Sequence, residues 1–278
     1  MRVGTTTMRP LRGSGLTEKW GAGASYEGFM GRWSRLLAQR FVSWLPVRPA
    51  AHWMDVGCGT GALSDAICAR AHPASVVACD SSESFIEHAR QHRVDPRISF
   101  VVAAVGHLPT RPGGFDSVTS ALALNFFPEP EAAVVEMRRL TATDGPVSAC
   151  VWDYGGRMEL LRHFWDSAAA VDSDARDLDE GRRFPICRPD ALESLFRGGG
   201  LGDVVCESIE IPTRFSGFAE LWNSFLGGTG PAPSYVATLE RDRRDALAEH
   251  LERSLPREAD SAIVLVARAW AVRGVATS

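Results

Sequence analysis

Apolar residues along the chain follow two alternating spacings, one typical of helices and one typical of buried strands. A helical spacing runs from about Tyr26 to Leu45 and ends at Pro46 and Pro49. Strands are then predicted at residues 53–56, 75–79, 98–102, 115–122 and 146–152, and helices at residues 62–71, 82–91 and 129–140. This alternation predicts an α/β fold that is doubly wound around a mostly parallel sheet, with its ligand beyond the carboxyl ends of the strands.

The second half of the chain has a less regular pattern. A charged stretch at 172–183 and a turn-rich stretch at 227–233 interrupt it. Helices are predicted at residues 157–171, 218–226 and 235–255 and from Pro189 to the glycines at 198–200, and strands at residues 203–211 and 261–271.

The domain organisation follows from these patterns. Residues 1–22 are rich in Gly, Thr and Arg, and we expect a disordered N-terminal tail there. Residues 23–278 are expected to form a single domain, with a core at 46–154 and lid segments at about 155–188 and 213–236. A chain of 278 residues that is 45% hydrophobic is sufficient for one such domain with a buried core.

The charge balance argues against several partners. The net charge is −4 and no run of basic residues is present, whereas nucleic-acid binders usually carry a basic face. No apolar stretch approaches the roughly 18 residues that a membrane helix needs. We therefore expect no nucleic-acid or membrane partner, and a monomer or homodimer.

The cysteines indicate a reducing environment. None of the six forms a C-x-x-C pair, so the spacing of a zinc site is absent and no metal is expected. Cys68, Cys79, Cys150 and Cys206 lie in apolar patterns and are expected to be buried, reduced thiols. The first 25 residues contain no apolar segment of the kind found in secretory signals. These features predict a cytoplasmic protein.

The main candidate for chemistry is a glycine-rich loop between a predicted strand and a predicted helix. It begins with Asp55 and continues as V-G-C-G-T-G to Gly61, and Asp80 ends the next strand. Glycines permit a tight turn and let a ligand approach the backbone, and an acid at position 80 can bind both hydroxyls of a ribose. The glycines also satisfy the dinucleotide fingerprint. However, an acid at position 55 suits a cation better than a pyrophosphate. The tight glycine spacing and the helix before the first strand also favour a ligand other than a dinucleotide.

Five segments together resemble a known family. They are WMDVGCGTGAL at 53–63, VVACDSS at 76–82, HLP at 107–109, the segment from Gly113 to Leu140, and VWDY at 151–154. The chain is similar to the class I S-adenosylmethionine (SAM)-dependent methyltransferases, in the branch of ubiquinone, menaquinone and natural-product biosynthesis. The resemblance covers residues 24–154 well and extends more loosely to the end. It implies a Rossmann-like seven-stranded sheet with an antiparallel last strand and a partly helical lid, SAM as cofactor, and methyl transfer to a small-molecule acceptor.

The resemblance also implies roles for individual residues. Asp55 is expected to support the amino group of SAM, Asp80 to bind the ribose hydroxyls, and Ser81 to flank the adenine. In the N-terminal helix, Arg32 is expected either to meet the SAM carboxylate or to be a surface arginine beside core aromatics. The remaining expected cofactor-binding residues are Tyr26, Gly57, Cys58, Gly59, Gly61, Ala104, Val105, Ala121 and Leu122.

One position departs from the family pattern. The family usually has an acid four to five residues before the L-P of the HLP segment, where it binds the adenine amine, and here Ala104 occupies that place. The loss of one polar contact costs about 0.5–1.5 kcal/mol, or roughly tenfold in affinity at most. Backbone groups at Ala104 and Val105 are left to contact the adenine. The alternative is a protein that has changed its ligand or lost its activity.

A general base is needed only if the acceptor is protonated. His163, in a predicted helix beside aromatic residues, and Asp153, after the fifth strand, are the catalytic candidates, and for each the alternative is a structural role. Asn125 and Phe126 are expected to line the methyl-transfer point. The aromatic residues that form either an acceptor pocket or core are Trp152, Tyr154, Trp165, Trp222 and Phe225.

Several alternative functions remain open at this point. The segment 124–128 lacks the N/D-P-P-Y/F/W motif of enzymes that methylate nucleic-acid bases. An NAD(P)-dependent oxidoreductase would use the same glycine loop, but no Tyr-x-x-x-Lys pair is present downstream. A non-catalytic SAM-fold protein that binds a ligand or acts as a scaffold is a third possibility. A fourth is an enzyme that uses the charge of SAM in a rearrangement or cyclisation.

Overall fold

The computed structural model describes residues 27–228 and 230–277, so the predicted tail at 1–22 and Tyr26 lie outside the described residues. A single seven-stranded sheet has the order β3-β2-β1-β4-β5-β7-β6. Its strands are β1 His52–Val56, β2 Ser75–Asp80, β3 Ile98–Val102, β4 Ser117–Ala121, β5 Pro146–Trp152, β6 Leu201–Phe215 and β7 Ile263–Ala276. β1 pairs in parallel with β2 and β4, and β7 is antiparallel to β5. The predicted fold class is therefore confirmed.

The described residues form ten α-helices. They are α1 Arg32–Trp44, α2 Ala62–Arg70, α3 Glu83–His92, α4 Pro130–Leu140, α5 Glu159–Val171, α6 Glu180–Arg183, α7 Pro189–Gly198, α8 Phe218–Ser224, α9 Pro231–Thr238 and α10 Arg241–Ser254. A π-helical turn at Glu27–Gly31 precedes α1, and 3₁₀ turns occupy Leu124–Phe126, Ser173–Leu178 and Phe225–Gly227.

Local sequence explains where several helices begin. The hydroxyl of Ser82 accepts a hydrogen bond from the backbone N–H of Phe85 at 3.4 Å, so Ser82 is the N-cap of α3 as predicted. Pro130 and Pro189 occupy the first turns of α4 and α7, where the missing N–H of proline is not needed. These three starts follow directly from residue types.

Two predictions in the second half were wrong in detail. A single helix was expected at 235–255, but α9 ends at Thr238 and α10 begins at Arg241, because Leu239 and Glu240 have extended backbone. The charged stretch at 172–183 is not irregular. The carboxylates of Asp172 and Asp179 accept hydrogen bonds from backbone N–H groups two residues later and so cap a 3₁₀ turn and α6.

The chain divides into two compact units. Among the described residues, the first, here called the sheet unit, comprises residues 33–152, 186–209 and 269–277, and the second, the helical unit, comprises residues 27–32, 153–185, 210–228 and 230–268. In the sheet unit, β4 and β5 are buried along almost their whole length, as expected for strands of a parallel sheet that is covered on both faces.

The core of the helical unit is aromatic. The rings of Phe164 and Phe225 stack at 4.5 Å between centroids, and Phe29 lies 5.7 Å from Phe225. Trp165 lies 5.8 Å from Tyr235. We call these five residues the aromatic cluster. Within the described residues, no helix combines the length and the apolar character needed to cross a membrane.

Candidate functional site

The glycine-rich loop leaves β1 at the carboxyl edge of the sheet and is held against β2. Gly57, Gly59 and Gly61 all have positive φ angles, of 74°, 52° and 89°. The N–H groups of Gly57 and Cys58 both donate to the carbonyl of Cys79, at 2.7 and 2.9 Å. The loop is therefore fixed at the point where β2 ends.

The first two glycines of the loop have different surroundings. A Cβ atom added at Gly57 would lie 2.5 Å from the Cβ of Ala123 and 3.2 Å from the ring of Phe127. A Cβ atom added at Gly59 would meet nothing within 4 Å. Gly57 thus allows the segment after β4 to pack closely, whereas Gly59 borders open space into which a ligand can approach the backbone.

Asp80 connects the glycine loop to the end of β2. Its carboxylate accepts hydrogen bonds from the N–H of Gly59 at 2.9 Å and from the N–H of Ser82 at 2.8 Å. Burial raises the pKa of Asp80, while these backbone donors act in the opposite direction. Each carboxylate oxygen has a further lone pair, so the group can accept the two hydroxyls of a ribose. Ser81 is exposed beside it.

Asp55 is completely buried in β1. The hydroxyl of Ser64, in α2, donates to its Oδ2 atom at 2.7 Å. Its Oδ1 atom has no hydrogen-bond partner among the described residues. Burial raises the pKa of Asp55 to about 7, although the hydrogen bond from Ser64 acts in the opposite direction. A buried carboxylate oxygen without a partner fits a cationic group such as the ammonium of SAM.

The turn after β3 lies beside Asp80. The N–H of Ala103 donates to the carbonyl of Asp80 at 2.9 Å, and the N–H of His107 donates to the carbonyl of Ala104 at 3.0 Å. Ala104 is exposed and Val105 is half-buried. Position 104 is therefore held next to the predicted ribose acid by backbone hydrogen bonds, without the side chain that the family pattern has there.

The segment after β4 brings Asn125, which the sequence analysis expected at the methyl-transfer point, to this edge. Leu122 has a positive φ angle of 58°, and its N–H donates to the carbonyl of Cys150 at 2.8 Å. Together with Ala121 it leads into the 3₁₀ turn that contains Asn125. The side chain of Asn125 is buried, and its amide nitrogen and oxygen both have no hydrogen-bond partner in the described part of the chain.

Arg32, the other candidate of the N-terminal segment, belongs to the helical unit. Its guanidinium donates to the carboxylate of Glu220 and lies 4.8 Å from the ring centroid of Phe215. Both charged side chains are about two-fifths exposed, at 42% and 37%. Its expected contact with the SAM carboxylate stays a prediction.

The two catalytic candidates have different environments. The Oδ2 atom of Asp153 accepts hydrogen bonds from Nε of Arg268 and from the N–H of Arg157, both at 2.8 Å. His163 is half-buried in α5, and its side chain makes no hydrogen bond or ion pair within residues 27–228 and 230–277. Of the aromatic candidates, Trp152, Tyr154, Trp165 and Phe225 are buried and Trp222 is half-buried.

The sequence did not single out Arg93 or Glu180, which the structure shows in distinctive environments. Arg93 donates from Nε to the carbonyl of Thr60 at 3.1 Å and pairs with Asp65 at 3.0 Å, so it supports the glycine loop from outside the motif. Glu180 is 2% exposed in α6 and accepts a hydrogen bond from the indole of Trp165. Burial raises the pKa of Glu180 to about 7. Neither residue stands out in the sequence, because both depend on long-range contacts.

Comparisons with known proteins identify a methyltransferase domain in this chain. Residues 54–149 match a family described as a methyltransferase domain. The chain is 28% identical over 210 residues to malonyl-[acyl-carrier protein] O-methyltransferase of Herminiimonas arsenicoxydans, covering 74% of this chain and 73% of that protein. It is 26% identical over 239 residues to nocamycin O-methyltransferase of Saccharothrix syringae, covering 80% of this chain and 83% of that protein.

Solved structures agree on the fold. Phosphoethanolamine N-methyltransferase 2 of Haemonchus contortus, in complex with S-adenosyl-L-methionine, superposes with a TM-score of 0.57 at 15% identity. The match covers 92% of this chain and 57% of that chain. At this level of identity the likeness concerns the fold alone.

Proposed function

The chain belongs to the class I SAM-dependent methyltransferases, and we propose that the atom it methylates is an oxygen of its small-molecule acceptor. Methyl transfer from SAM to a small molecule is the activity of the family. The choice of oxygen is supported by the two relatives above, which are both named as O-methyltransferases. Oxygen acceptors can arrive either ionised, as carboxylates, or protonated, as hydroxyls.

The observation that supports SAM as the methyl donor is the hydrogen bond between Gly59 and Asp80 at the carboxyl edge of the sheet. It places the half-buried carboxylate of Asp80 next to a backbone that a ligand can approach. Asp55 would hold the ammonium group, and the positive-φ backbone of the loop would lie along the methionine and ribose parts. When bound, SAM supplies a methyl group on a sulfonium, which is already a strong electrophile. The main task of the chain is therefore to align the acceptor and to exclude water.

We propose that His163 is the general base that accepts the proton of a hydroxyl acceptor. The support is its half-buried position in α5, directly before Phe164 and Trp165 of the aromatic cluster in the sequence, and its imidazole, which is a common general base in enzymes. Asp153 is a less suitable base, because Arg268 already donates to its carboxylate. A carboxylate acceptor would need no base at all.

The cellular setting is part of the proposal. We propose that the protein works in the cytoplasm as a monomer or homodimer, on an acceptor that is neither a nucleic acid nor a membrane lipid. All six cysteines are free thiols, which fits a reducing compartment, and the net charge of −4 does not favour a polyanionic partner.

The experiment is a transfer assay with labelled SAM and two series of acceptors. One series contains carboxylates, with malonyl-acyl carrier protein and malonyl thioesters, and the other contains phenols and catechols. Alkali separates the products, because methyl esters are cleaved and methyl ethers are not. We expect labelled product in one series, and His163→Gln to lower the rate with hydroxyl acceptors by about 10²-fold but not the rate with carboxylates. Transfer to amines or carbon alone would contradict the proposal.

A further inference from the structure

The side chain of Asn125 is an unusual feature of the sheet unit. It is 7% exposed, and neither Nδ2 nor Oδ1 has a hydrogen-bond partner among the residues that the structure describes. Buried amides are nearly always hydrogen-bonded, because an unpaired donor or acceptor loses its contacts with water and gains nothing. Two unpaired ends on one side chain therefore indicate a group that binds something outside the described part of the chain.

The position of Asn125 points to the cofactor. It lies in the 3₁₀ turn Leu124–Phe126, which follows β4 at the carboxyl edge of the sheet. The residues around this turn press against the glycine loop, since a Cβ atom at Gly57 would lie 2.5 Å from Ala123 and 3.2 Å from Phe127. Ligands of open α/β sheets bind beyond this edge.

A second unpaired group lies at the same edge. Asp55 pairs in register with Thr119 of β4, and its Oδ1 atom is buried without a partner in the described part of the chain. An amino-acid group carries both an ammonium and a carboxylate. Asp55 is suited to the ammonium, but it repels the carboxylate, so this end of SAM needs a donor as well.

We propose that the side-chain amide of Asn125 binds the amino-acid end of SAM. Its Nδ2–H donates to the carboxylate, and its Oδ1 shares the ammonium with Asp55. A primary amide presents a donor and an acceptor side by side, which matches a zwitterion better than a hydroxyl or a single charge does. The inference depends on the cofactor alone, so it stands whether or not the acceptor atom is oxygen.

The test compares two ligands by calorimetric titration. S-adenosylhomocysteine has the amino-acid end, and 5′-methylthioadenosine has the same adenosine and thioether without it. We expect Asn125→Ala to weaken S-adenosylhomocysteine binding by about tenfold to a hundredfold, as for a hydrogen bond to a charged group. Binding of methylthioadenosine should not change.

Two further variants sharpen the test. Asn125→Asp has nearly the same size but puts a negative charge next to the carboxylate, so it should weaken S-adenosylhomocysteine binding at least as much as Asn125→Ala. Ser117→Ala is the matched control. Ser117 also has a buried, unpartnered hydroxyl among the described residues, but it lies at the start of β4, away from the ligand edge. It should leave both affinities unchanged.

Three results would overturn the proposal. Unchanged S-adenosylhomocysteine affinity in the Asn125 variants would mean that the amide faces another group. An equal loss for both ligands would indicate that Asn125 only shapes the turn. Tighter binding by Asn125→Asp would show that the side chain meets the ammonium alone. Thermal unfolding identifies variants that do not fold, and Asn125→Ser then replaces Asn125→Ala.

Discussion

The backbone N–H of Gly59 donates a hydrogen bond to the carboxylate of Asp80 over 2.9 Å and so joins the glycine loop to the end of the second strand. One carboxylate thereby orders the loop and remains available to a ligand. The N–H of Ser82 holds its other oxygen at 2.8 Å, so the side chain cannot rotate freely. This fixed orientation is what a pair of ribose hydroxyls requires.

Replacing this carboxylate should weaken cofactor binding. We expect Asp80→Ala to lower the affinity for S-adenosylhomocysteine by at least tenfold, because hydrogen bonds to a charged group contribute about 1.5–3 kcal/mol. Asp80→Asn keeps one acceptor oxygen and should lose less. Titration calorimetry of both variants measures the difference, and equal affinities in wild type and Asp80→Ala would rule out the ribose role.

Substitutions at Gly57 and Gly59 should affect different properties, stability in the first case and cofactor affinity in the second. Gly57→Ala places a methyl group 2.5 Å from Ala123 at a φ angle of 74°, so we expect a loss of about 3 kcal/mol in the free energy of unfolding. Gly59→Ala meets no atom within 4 Å and carries only the backbone cost of about 1–2 kcal/mol. It should instead reduce cofactor affinity. Urea unfolding and calorimetry on both variants check this, and equal destabilisation by the two would contradict it.

Cofactor binding should depend on pH through Asp55. Its pKa is about 7 in the free protein because of burial, and a bound ammonium favours the ionised form and lowers that pKa. Above pH 7 the carboxylate is already charged. Below pH 7 binding must expel a proton, so the affinity should fall by up to about tenfold per pH unit.

The measurement is the affinity for S-adenosylhomocysteine between about pH 5.5 and pH 7.5. Asp55→Asn should bind more weakly at the upper end and show a flatter profile. Any pH dependence of the affinity that remains in this variant is assigned to Asp80, because burial also raises the pKa of Asp80. A wild-type profile without slope would exclude a proton-linked Asp55.

Arg93 should stabilise the glycine loop from outside. Its Nε–H donates to the carbonyl of Thr60, and its guanidinium, 17% exposed, pairs with Asp65. Arg93→Met keeps most of the apolar stem but removes both contacts, and we expect a loss of about 1–3 kcal/mol in stability with a moderate loss of cofactor affinity. Arg139→Met is a suitable control, because among the described residues the side chain of Arg139, which is 56% exposed, pairs only with Glu136 of its own helix. Equal effects of the two substitutions would argue against this role.

The pair of Asp153 and Arg268 should behave as a structural ion pair. The side chain of Asp153 is 7% exposed and that of Arg268 is 23% exposed. Arg268→Ala leaves a buried carboxylate without its cation and should cost about 3 kcal/mol. Asp153→Asn combined with Arg268→Ala should cost less than the sum of the single changes. Chemical denaturation of the three variants gives the coupling energy, and strict additivity would contradict the pairing.

The sequence predicted those parts of the site that depend on local residue types. The loop from Asp55 to Gly61, the end of β2 at Asp80 and the cap at Ser82 all follow from short patterns of glycines, acids and apolar residues. The break between α9 and α10 was missed because no glycine or proline marks it between Tyr235 and Leu255.

Other features depend on contacts that no local pattern records. The sequence predicts that Asn125 lines the methyl-transfer point, but only the structure shows its burial and its unpaired amide. Glu180 lies in a charged stretch that is typical of a solvated surface, yet its side chain is buried and accepts a hydrogen bond from the indole of Trp165. Asp153 follows a strand at the ligand edge, as a catalytic acid would, but its partner Arg268 is 115 residues away.

The protonation state of the Cys58 thiol, in the glycine loop, bears on whether the cofactor can methylate the protein itself. A sulfonium methyl group is an alkylating agent, and Cys58 lies in the loop that we propose to hold it. Only thiolates are good nucleophiles. Burial, together with the nearby carboxylates of Asp55 and Asp80, raises the pKa of Cys58 well above its usual range. Burial and the two acids therefore keep this sulfur protonated, so we expect the loop to hold a sulfonium beside Cys58 without methylation of its thiol.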